Sequence, residues 1–252
     1  MFTRISQQYE NSTAVVIGAG GIGAAIARLL APSAANLVVA DRDEAALNKL
    51  AATCKPAKLL TRSLDVRDAK AVAELFALVK ATVGVPDFLF YTAGILNVES
   101  LAETTVDMWD RAVSINLSGA FYCAQAAAEQ MRAERRGSIL ILGSIAGTKA
   151  RSGARVNPVY NATKAGLAAF VNGAAIQLRS FGVRINCISP GPTATTMMDA
   201  QPAHVHAAVS EITLDGRMNS SAEVAEVALF VAAHGRFTGE DLSIGGGAGL
   251  GG

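Results

Sequence analysis

The chain has 252 residues, of which 51% are hydrophobic and 17% are charged, and its formal net charge is +1. No basic or acidic block stands out, which argues against nucleic acid and anionic membrane surfaces as partners. No apolar run approaches the ~18 residues of a transmembrane helix, and residues 1–12 lack the apolar segment of a secretory signal. This length and composition allow one large hydrophobic core.

The elements predicted in chain order alternate between apolar strands and Ala-rich helices. Strands are predicted at Thr13–Ile17, Asn36–Ala40, Lys58–Leu64, Asp87–Tyr91, Ser138–Leu142 and Gly182–Ile188. Helices are predicted over Ile22–Leu30, from about Asp43, over Met108–Arg135 and over Tyr160–Ser180. Strands that are apolar throughout need cover on both faces, and regular alternation with helices indicates a parallel, doubly wound α/β sheet. No linker or internal repeat interrupts the pattern, so a single domain over residues 1–252 is predicted.

The three cysteines are widely spaced, and Cys123 and Cys187 have apolar neighbours; the third is Cys54. Their odd number and spacing indicate buried thiols rather than a disulfide framework. Reduced thiols fit a cytoplasmic location.

A glycine-rich loop follows the first predicted strand. In Gly18-Ala19-Gly20-Gly21-Ile22-Gly23, three glycines fit the pattern G-x-G-x-x-G. Such glycines allow a tight turn and bring backbone N–H groups to a pyrophosphate at the start of a helix. The strand before the loop and the helix after it give the motif its required context, although a βα turn in an unrelated fold can have the same letters. The loop therefore predicts a dinucleotide site.

Two aspartates follow the second and third strands. Asp41 lies about 20 residues after the glycines, where dinucleotide folds place a carboxylate that binds a ribose. Its charge would repel a 2′-phosphate, so NAD is favoured over NADP, although the adjacent Arg42 could offset that preference. Asp41 could instead cap the next helix, but Asp43 is available for that role. Asp65 is a candidate partner of the adenine amino group, or a cap for a helix that begins near Asp68.

Tyr160 and Lys164 are four residues apart at the start of a predicted helix, so their side chains share one face. A phenol with a reference pKa near ~10 is a poor base at neutral pH, and a neighbouring ammonium would favour the phenolate. The pair therefore predicts a tuned general acid/base, although a surface pair on an amphipathic helix has the same spacing.

Several short motifs occur in a characteristic order along the whole chain. They are Gly18 to Gly23, Thr92-Ala93-Gly94, Asn116, Ser144, Tyr160-Asn161-Ala162-Thr163-Lys164 and Pro190-Gly191. Together they resemble the short-chain dehydrogenase/reductase family, and the joint match is more specific than any single motif. The resemblance implies a single-domain Rossmann fold with a seven-stranded sheet and helices on both faces, a nicotinamide cofactor, and commonly a homotetramer.

The resemblance also implies roles for individual residues. Ser144 would hydrogen-bond the substrate oxygen, and Tyr160 would exchange its proton. Lys164 would lower the pKa of Tyr160 and hold the nicotinamide ribose, while Asn116 would keep a water in a proton relay behind Lys164. The residues expected at the cofactor are Gly18, Gly20, Gly21, Ile22, Gly23, Asp41, Arg42, Asp65, Val66, Thr92, Ala93, Gly94, Tyr160, Lys164, Pro190, Gly191, Thr193 and Thr195.

The sequence departs from the family pattern at several places. The glycine loop is shorter by one residue than the usual T-G-x-x-x-G-x-G. Tyr91-Thr92-Ala93-Gly94 stands where Asn-Asn-Ala-Gly is usual, which puts in doubt the usual asparagine tie between neighbouring strands. The segment between Ser144 and Tyr160 is longer than usual and carries Arg151 and Arg155. Arginine there suits a carboxylate, sulfonate or phosphate on the substrate, whereas the loop could also be a solvated or subunit-contact surface.

Residues 197–215 are expected to form a substrate lid, with Met197 and Met198 lining the pocket. The segment also holds His204 and His206. Two histidines two residues apart would not share a helix face, and no Cys or Glu nearby completes a zinc set, so no metal is expected.

The predicted function is an oxidoreductase that transfers a hydride between NAD(H) and the carbinol or carbonyl carbon of a small polar alcohol, sugar or hydroxy acid. One alternative is an NADPH-dependent reductase of ketones or of 3-oxoacyl groups on acyl carrier protein, against which Asp41 argues. Another is a non-catalytic NAD-binding sensor, against which the intact catalytic residues argue. The lid and the loop before Tyr160 vary freely on one scaffold, so the sequence leaves the substrate unnamed.

Overall fold

Seven parallel strands form one sheet in the computed structural model, which describes residues 7–55, 58–148, 157–199 and 213–248. The strands are β1 (Thr13–Ile17), β2 (Asn36–Asp41), β3 (Lys58–Ser63), β4 (Phe88–Tyr91), β5 (Gly137–Leu142), β6 (Val183–Pro190) and β9 (Asp241–Ile244). Their order is β3-β2-β1-β4-β5-β6-β9, so the direction of winding reverses between β1 and β4. Two short strands, β7 (Thr193–Ala194) and β8 (Asn219–Ser220), pair separately.

Helices cover both faces of this sheet. They are α1 (Gly21–Leu30), α2 (Glu44–Thr53), α3 (Ala69–Val83), α4 (Val106–Ala112), α5 (Gly119–Glu134), α6 (Pro158–Leu178), α7 (Thr196–Asp199) and α8 (Ser221–Ala233). A π-helical segment, Val113–Ser118, joins α4 to α5, and 3₁₀ turns lie at Ile145–Gly147 and Arg179–Phe181. Within the described residues, no helix is both long and apolar enough to cross a membrane.

The core has two layers because successive strand residues point to opposite faces of the sheet. On one face, Val15 and Ile139 pack with the inner sides of α3, α5 and α6. On the other face, Val16 and Leu140 pack with α1, α2 and α8. This arrangement confirms the predicted doubly wound α/β fold.

Several elements differ from the sequence prediction. The helix predicted over Met108–Arg135 begins earlier, at Val106 after a Thr105 cap, and the π segment interrupts it. The strand β9 was not predicted, because Asp241–Ile244 is short and is followed by a glycine-rich segment. Parallel pairing with the carboxyl half of β6 makes it a strand.

Candidate active site

A cavity of about 420 Å³ opens at the carboxyl ends of the parallel strands. Its wall includes the last residues of three strands, Ile17, Asp41 and Leu142. The reversal of winding between β1 and β4 lies at the same edge, and open α/β sheets bind their ligands at such a switch point.

The glycine loop forms one wall of this cavity. Gly18 has a φ of 111°, in the left-handed region that glycine adopts without strain. A Cβ atom on Gly23 would collide with the Gly18 carbonyl oxygen, so the turn closes tightly only around glycine. Gly20 is the N-cap of α1, and it has no side chain that could accept hydrogen bonds from the first N–H groups of the helix. The first turn of α1 also contains no acidic residue. The start of α1 is therefore available to an anion.

Asp41 lies beside this loop and lines the cavity with Arg42. Its carboxylate accepts hydrogen bonds from the backbone N–H of Ala19 at 2.6 Å and of Asp43 at 2.9 Å. Asp43 caps α2 by accepting a hydrogen bond from Ala46 N. The helix cap considered as an alternative role for Asp41 is therefore supplied by Asp43.

Asp65 also lines the cavity, but its carboxylate is engaged by Arg67. The Arg67 side chain donates to both carboxylate oxygens of Asp65, which holds the pKa of Asp65 below its ordinary value. The helix cap considered for Asp65 is supplied by Asp68, which accepts from Lys70 N and Ala71 N.

Tyr91 and Thr92 stand where the family usually has asparagines, and their side chains make hydrogen bonds of their own. The Thr92 N–H and the Thr92 hydroxyl both donate to the Ile17 carbonyl, at 2.8 and 2.9 Å, and so join β4 to β1. The buried Tyr91 hydroxyl donates to the Ile115 carbonyl at 2.6 Å, inside the π segment. The tie between neighbouring strands that the sequence put in doubt is therefore present, with Thr92 in place of asparagine.

Asn116 is fully buried in the π segment, behind the cavity wall. Its side chain accepts from Ile95 N at 2.8 Å and donates to Ile95 O at 3.0 Å and to the Thr163 hydroxyl at 3.2 Å. A Cβ placed on Gly94 would lie 3.3 Å from Asn116 Oδ1 and 3.7 Å from Lys164 Nζ. Gly94 thus lies between the side chains of Asn116 and Lys164, which the sequence analysis linked through a proton relay.

The first turn of α6 carries Tyr160. Asn157 caps this helix by accepting from Tyr160 N at 2.8 Å, while its amide donates to the Glu99 carbonyl at 2.6 Å. Pro158 follows at the first helical position, where its fixed φ favours the helix. The predicted start at Tyr160 was therefore two residues late, although the Asn-Pro pair was a usable signal.

Ser144, Tyr160 and Lys164 line the cavity together. Ser144 caps the 3₁₀ turn, its hydroxyl accepting from Ala146 N at 3.2 Å. Lys164 Nζ lies 5.7 Å from the centre of the Tyr160 ring and donates to the Leu142 carbonyl at 2.8 Å.

Burial has the largest influence on the electrostatics of these groups. It raises the pKa of Tyr160, and the hydrogen bond of Tyr160 with Ser144 acts in the opposite direction. Burial also lowers the pKa of Lys164 to about 8.

The end of β6 and the segment after it form another part of the cavity wall. Pro190, Gly191, Thr193, Thr195 and Met198 all line the cavity. The Thr193 hydroxyl donates to the Gly191 carbonyl, and the Thr195 hydroxyl accepts from Met198 N. Ile22, Val66 and Ala93 also reach the cavity, whereas Gly23 and Asn116 support it from behind.

Several predicted residues lie outside the described residues. These are Arg151, Arg155, His204, His206 and the greater part of the 197–215 segment; the side chain of Met197 is outside them as well. Among the residues that are described, no group of three His, Cys, Asp or Glu side chains could hold a metal ion.

The sequence analysis missed one set of cavity residues. They are apolar or small, and they adjoin the predicted motifs in the chain: Ile95, Leu96, Gly143, Ile145, Ala146 and Pro192. Their positions directly after Gly94, beside Ser144 and after Gly191 were the signal that could have identified them.

Comparison with known proteins gives a consistent set of relatives. Residues 17–249 match the model of a family described as enoyl-(acyl carrier protein) reductase. The cis-4-hydroxycyclohexanecarboxylate dehydrogenase of Sinomonas cyclohexanicum is 34% identical over 90% of this chain and 92% of that protein. The galactitol 2-dehydrogenase (L-tagatose-forming) of Cereibacter sphaeroides is 32% identical over 94% of this chain and 95% of that protein. The solved structure of gox2181 matches with a TM-score of 0.91 and 27% identity over the whole of both chains.

Proposed function

Because the chain belongs to the short-chain dehydrogenase/reductase family, we propose that it transfers a hydride between NAD(H) and the carbinol or carbonyl carbon of a small polar alcohol, sugar or hydroxy acid. The observation that carries the proposal is that Ser144, Tyr160 and Lys164 line the same cavity as the glycine loop and Asp41. The residues proposed for acid/base chemistry and for dinucleotide binding therefore face one cavity.

The residues present fit a nicotinamide dinucleotide. The uncapped start of α1 suits the pyrophosphate, and Asp41 suits a ribose with two free hydroxyl groups. Lys164 and the Pro190–Thr195 segment line the same cavity as Tyr160. When bound, the nicotinamide would supply the redox chemistry by accepting or donating the hydride.

Tyr160 and Ser144 perform the proton chemistry in this proposal. The Ser144 hydroxyl donates a hydrogen bond to the substrate oxygen and fixes its position. The Tyr160 phenolate takes the hydroxyl proton when an alcohol is oxidised, and the phenol returns a proton when a carbonyl is reduced. The raised pKa of Tyr160 keeps it protonated at neutral pH, so the phenol is available as the acid for carbonyl reduction.

The choice of cofactor is proposed to depend on Asp41. Its carboxylate lines the cavity and would repel a 2′-phosphate, whereas Arg42 would attract one. We expect Asp41→Ser to weaken NAD use and improve NADP use, measured as kcat/KM for each cofactor. Asp43→Ser is the matched control, since it makes the same change at a neighbouring aspartate, where serine can still cap α2, and leaves the cavity carboxylate in place. A wild-type preference for NADP would contradict the proposal and favour the NADPH-dependent reductase.

The substrate is tested most directly by a screen with NAD. One relative is named for a hydroxycyclohexanecarboxylate and another for galactitol, so both compounds belong in the panel with simple alcohols and hydroxy acids. The proposal expects NADH formation with at least one of them. NAD binding without turnover on any of them would favour the non-catalytic sensor.

An anionic group on the substrate is proposed to be bound by Arg151 or Arg155. The support is the basic segment between Ser144 and Tyr160 and the carboxylate in the name of one relative's substrate. Hydrogen bonds to charged groups are worth roughly 1.5–3 kcal/mol, so Arg151→Ala or Arg155→Ala should raise KM about tenfold or more. Unchanged KM and kcat in both variants would make the segment a surface or subunit contact.

The remaining expectations are part of the same proposal. A homotetramer is supported by apolar side chains exposed on α5 and α6, among them Phe121 and Ile176. A cytoplasmic location is supported by three free, buried cysteines. Residues 1–252 are proposed to act as one catalytic domain, with 197–215 as its lid over the substrate.

A further inference from the structure

The 95–99 loop, which follows β4, is bonded at each end to the side chain of a buried asparagine. At its start, Ile95 N donates to the Asn116 side chain at 2.8 Å and Ile95 O accepts from it at 3.0 Å. At its end, the Glu99 carbonyl accepts from the Asn157 amide at 2.6 Å. Asn157 is only 5% exposed. Because Ile95 lines the cavity, these two asparagines fix a loop that belongs to the candidate active site.

Asn157 uses both ends of its side-chain amide. The oxygen accepts from Tyr160 N at 2.8 Å and so caps α6, while the nitrogen donates to the Glu99 carbonyl. Serine and aspartate cap helices about as well as asparagine, but neither has an amide N–H. The cap alone therefore leaves the bond to Glu99 without a role.

The Glu99 carbonyl is a fixed acceptor rather than part of a loose loop. The Glu99 carboxylate accepts from Val98 N at 3.0 Å and from the Asn97 amide at 3.3 Å, so its own side chain holds the backbone around it. A bond from Asn157 to this carbonyl therefore joins the start of α6 to a loop that is itself held in place.

The position of Tyr160 depends on this first turn of α6. The first N–H groups of a helix have no partner within the helix, so the turn that carries them is held by its cap and by contacts outside the helix. Tyr160 lies in that turn, and its hydroxyl is hydrogen-bonded with Ser144. Displacement of a reacting group by ~1 Å can cost about 10²-fold in rate.

We propose that Asn157 is a positioning residue for the reaction: its bond to the Glu99 carbonyl holds the first turn of α6, and with it the Tyr160 hydroxyl, in place against the 95–99 loop. This inference rests on the proposed function, because it takes Tyr160 as the acid/base. In the part of the chain that the structure describes, Asn157 is not among the residues that line the cavity, so it acts through Tyr160.

Asn157→Ser tests the proposal, because serine retains a helix cap and removes the amide. The measurement is kcat per NAD-binding site, with the number of sites counted by calorimetric titration with NAD. We expect kcat per site to fall about 10–100-fold, while Tm and the affinity for NAD stay near wild type. A purely structural role would lower Tm and the number of sites but would leave kcat per site unchanged.

Two alanine variants separate the bond to Glu99 from the cap. Asn157→Ala should show the same loss of kcat per site and, because the cap is lost as well, a Tm lower by about 2–4 °C. Asp68→Ala is the matched control, since Asp68 caps α3 and does not line the cavity. We expect it to lower Tm by a similar amount and to keep wild-type kcat per site.

The possible outcomes distinguish this inference from the proposed function. Wild-type kcat per site in Asn157→Ser, whatever its Tm, would overturn the inference and leave the proposed function intact. An equal loss in Asp68→Ala would overturn it too, because loss of any helix cap would then lower kcat. If the wild-type enzyme binds NAD but forms no NADH from any compound of the screen, the proposed function fails and the inference fails with it.

Discussion

We expect Tyr160→Phe to lose turnover by about 10²–10⁴-fold while it retains the fold and NAD binding. The variant removes only the hydroxyl group that faces Ser144 in the cavity, and the ring that packs there is kept. Because kcat falls and NAD affinity does not, the loss belongs to proton transfer. The measurements are kcat, KM, calorimetric NAD affinity and Tm.

Tyr122→Phe provides the control for this result. It removes the same atom from a tyrosine of α5 that packs against the core outside the cavity. Activity of Tyr122→Phe should stay near wild type. A Tyr160→Phe enzyme with wild-type kcat would contradict the assignment of Tyr160 as the acid/base.

The pH dependence offers an internal check on Tyr160. Oxidation needs the phenolate, and the pKa of Tyr160 is raised, so kcat/KM for an alcohol should climb with pH through the neutral and alkaline range. Carbonyl reduction uses the phenol and should stay level through neutral pH, falling only as the pH approaches the raised pKa of Tyr160. The residual rate of Tyr160→Phe should lack this dependence.

The second large effect is expected from Gly23→Ala. A methyl group there collides with the Gly18 carbonyl and with the Thr92 hydroxyl, and the first of these belongs to backbone that cannot rotate away. Overpacking of this kind costs about 1–3 kcal/mol or more, which corresponds to a fall in Tm of roughly 2–12 °C for a chain of this size. NAD affinity should fall as well, because the loop is displaced.

Gly20→Ala separates the loss of stability from the loss of NAD affinity. A Cβ at Gly20 meets no atom within 4 Å, and its φ of −96° suits any residue. We expect Tm to stay near wild type, while NAD binding weakens because the methyl lies at the start of α1. A stable Gly23→Ala variant with wild-type Tm would show that the turn can relax around the added atom.

The motifs of the candidate site were predictable from sequence because their spacing reflects local geometry. Gly18 to Gly23 needs a strand before it and a helix after it, and Tyr160 and Lys164 need only one helical turn. The strands of the sheet centre were predictable because burial on both faces leaves an unbroken apolar run.

The features that were missed depend on contacts between distant parts of the chain. The strand β9 exists because Asp241–Ile244 pairs with β6, which its own residues do not indicate. The direction of the Tyr160 pKa shift follows from burial, which is not visible in a spacing.

The π segment has a consequence for changes of chain length. An α-helix turns about 100° per residue, and a π segment accommodates one extra residue as a local bulge without turning the helix on either side. Asn116 therefore lies in what amounts to a single-residue insertion between α4 and α5, fixed by Tyr91 through Ile115 O. Deleting one residue from Val113–Ser118 would allow the two helices to join as one regular helix with both packed faces in place. The Asn116 side chain would then point away from the Ile95 backbone. We therefore expect this deletion to preserve the fold and to disrupt the candidate active site.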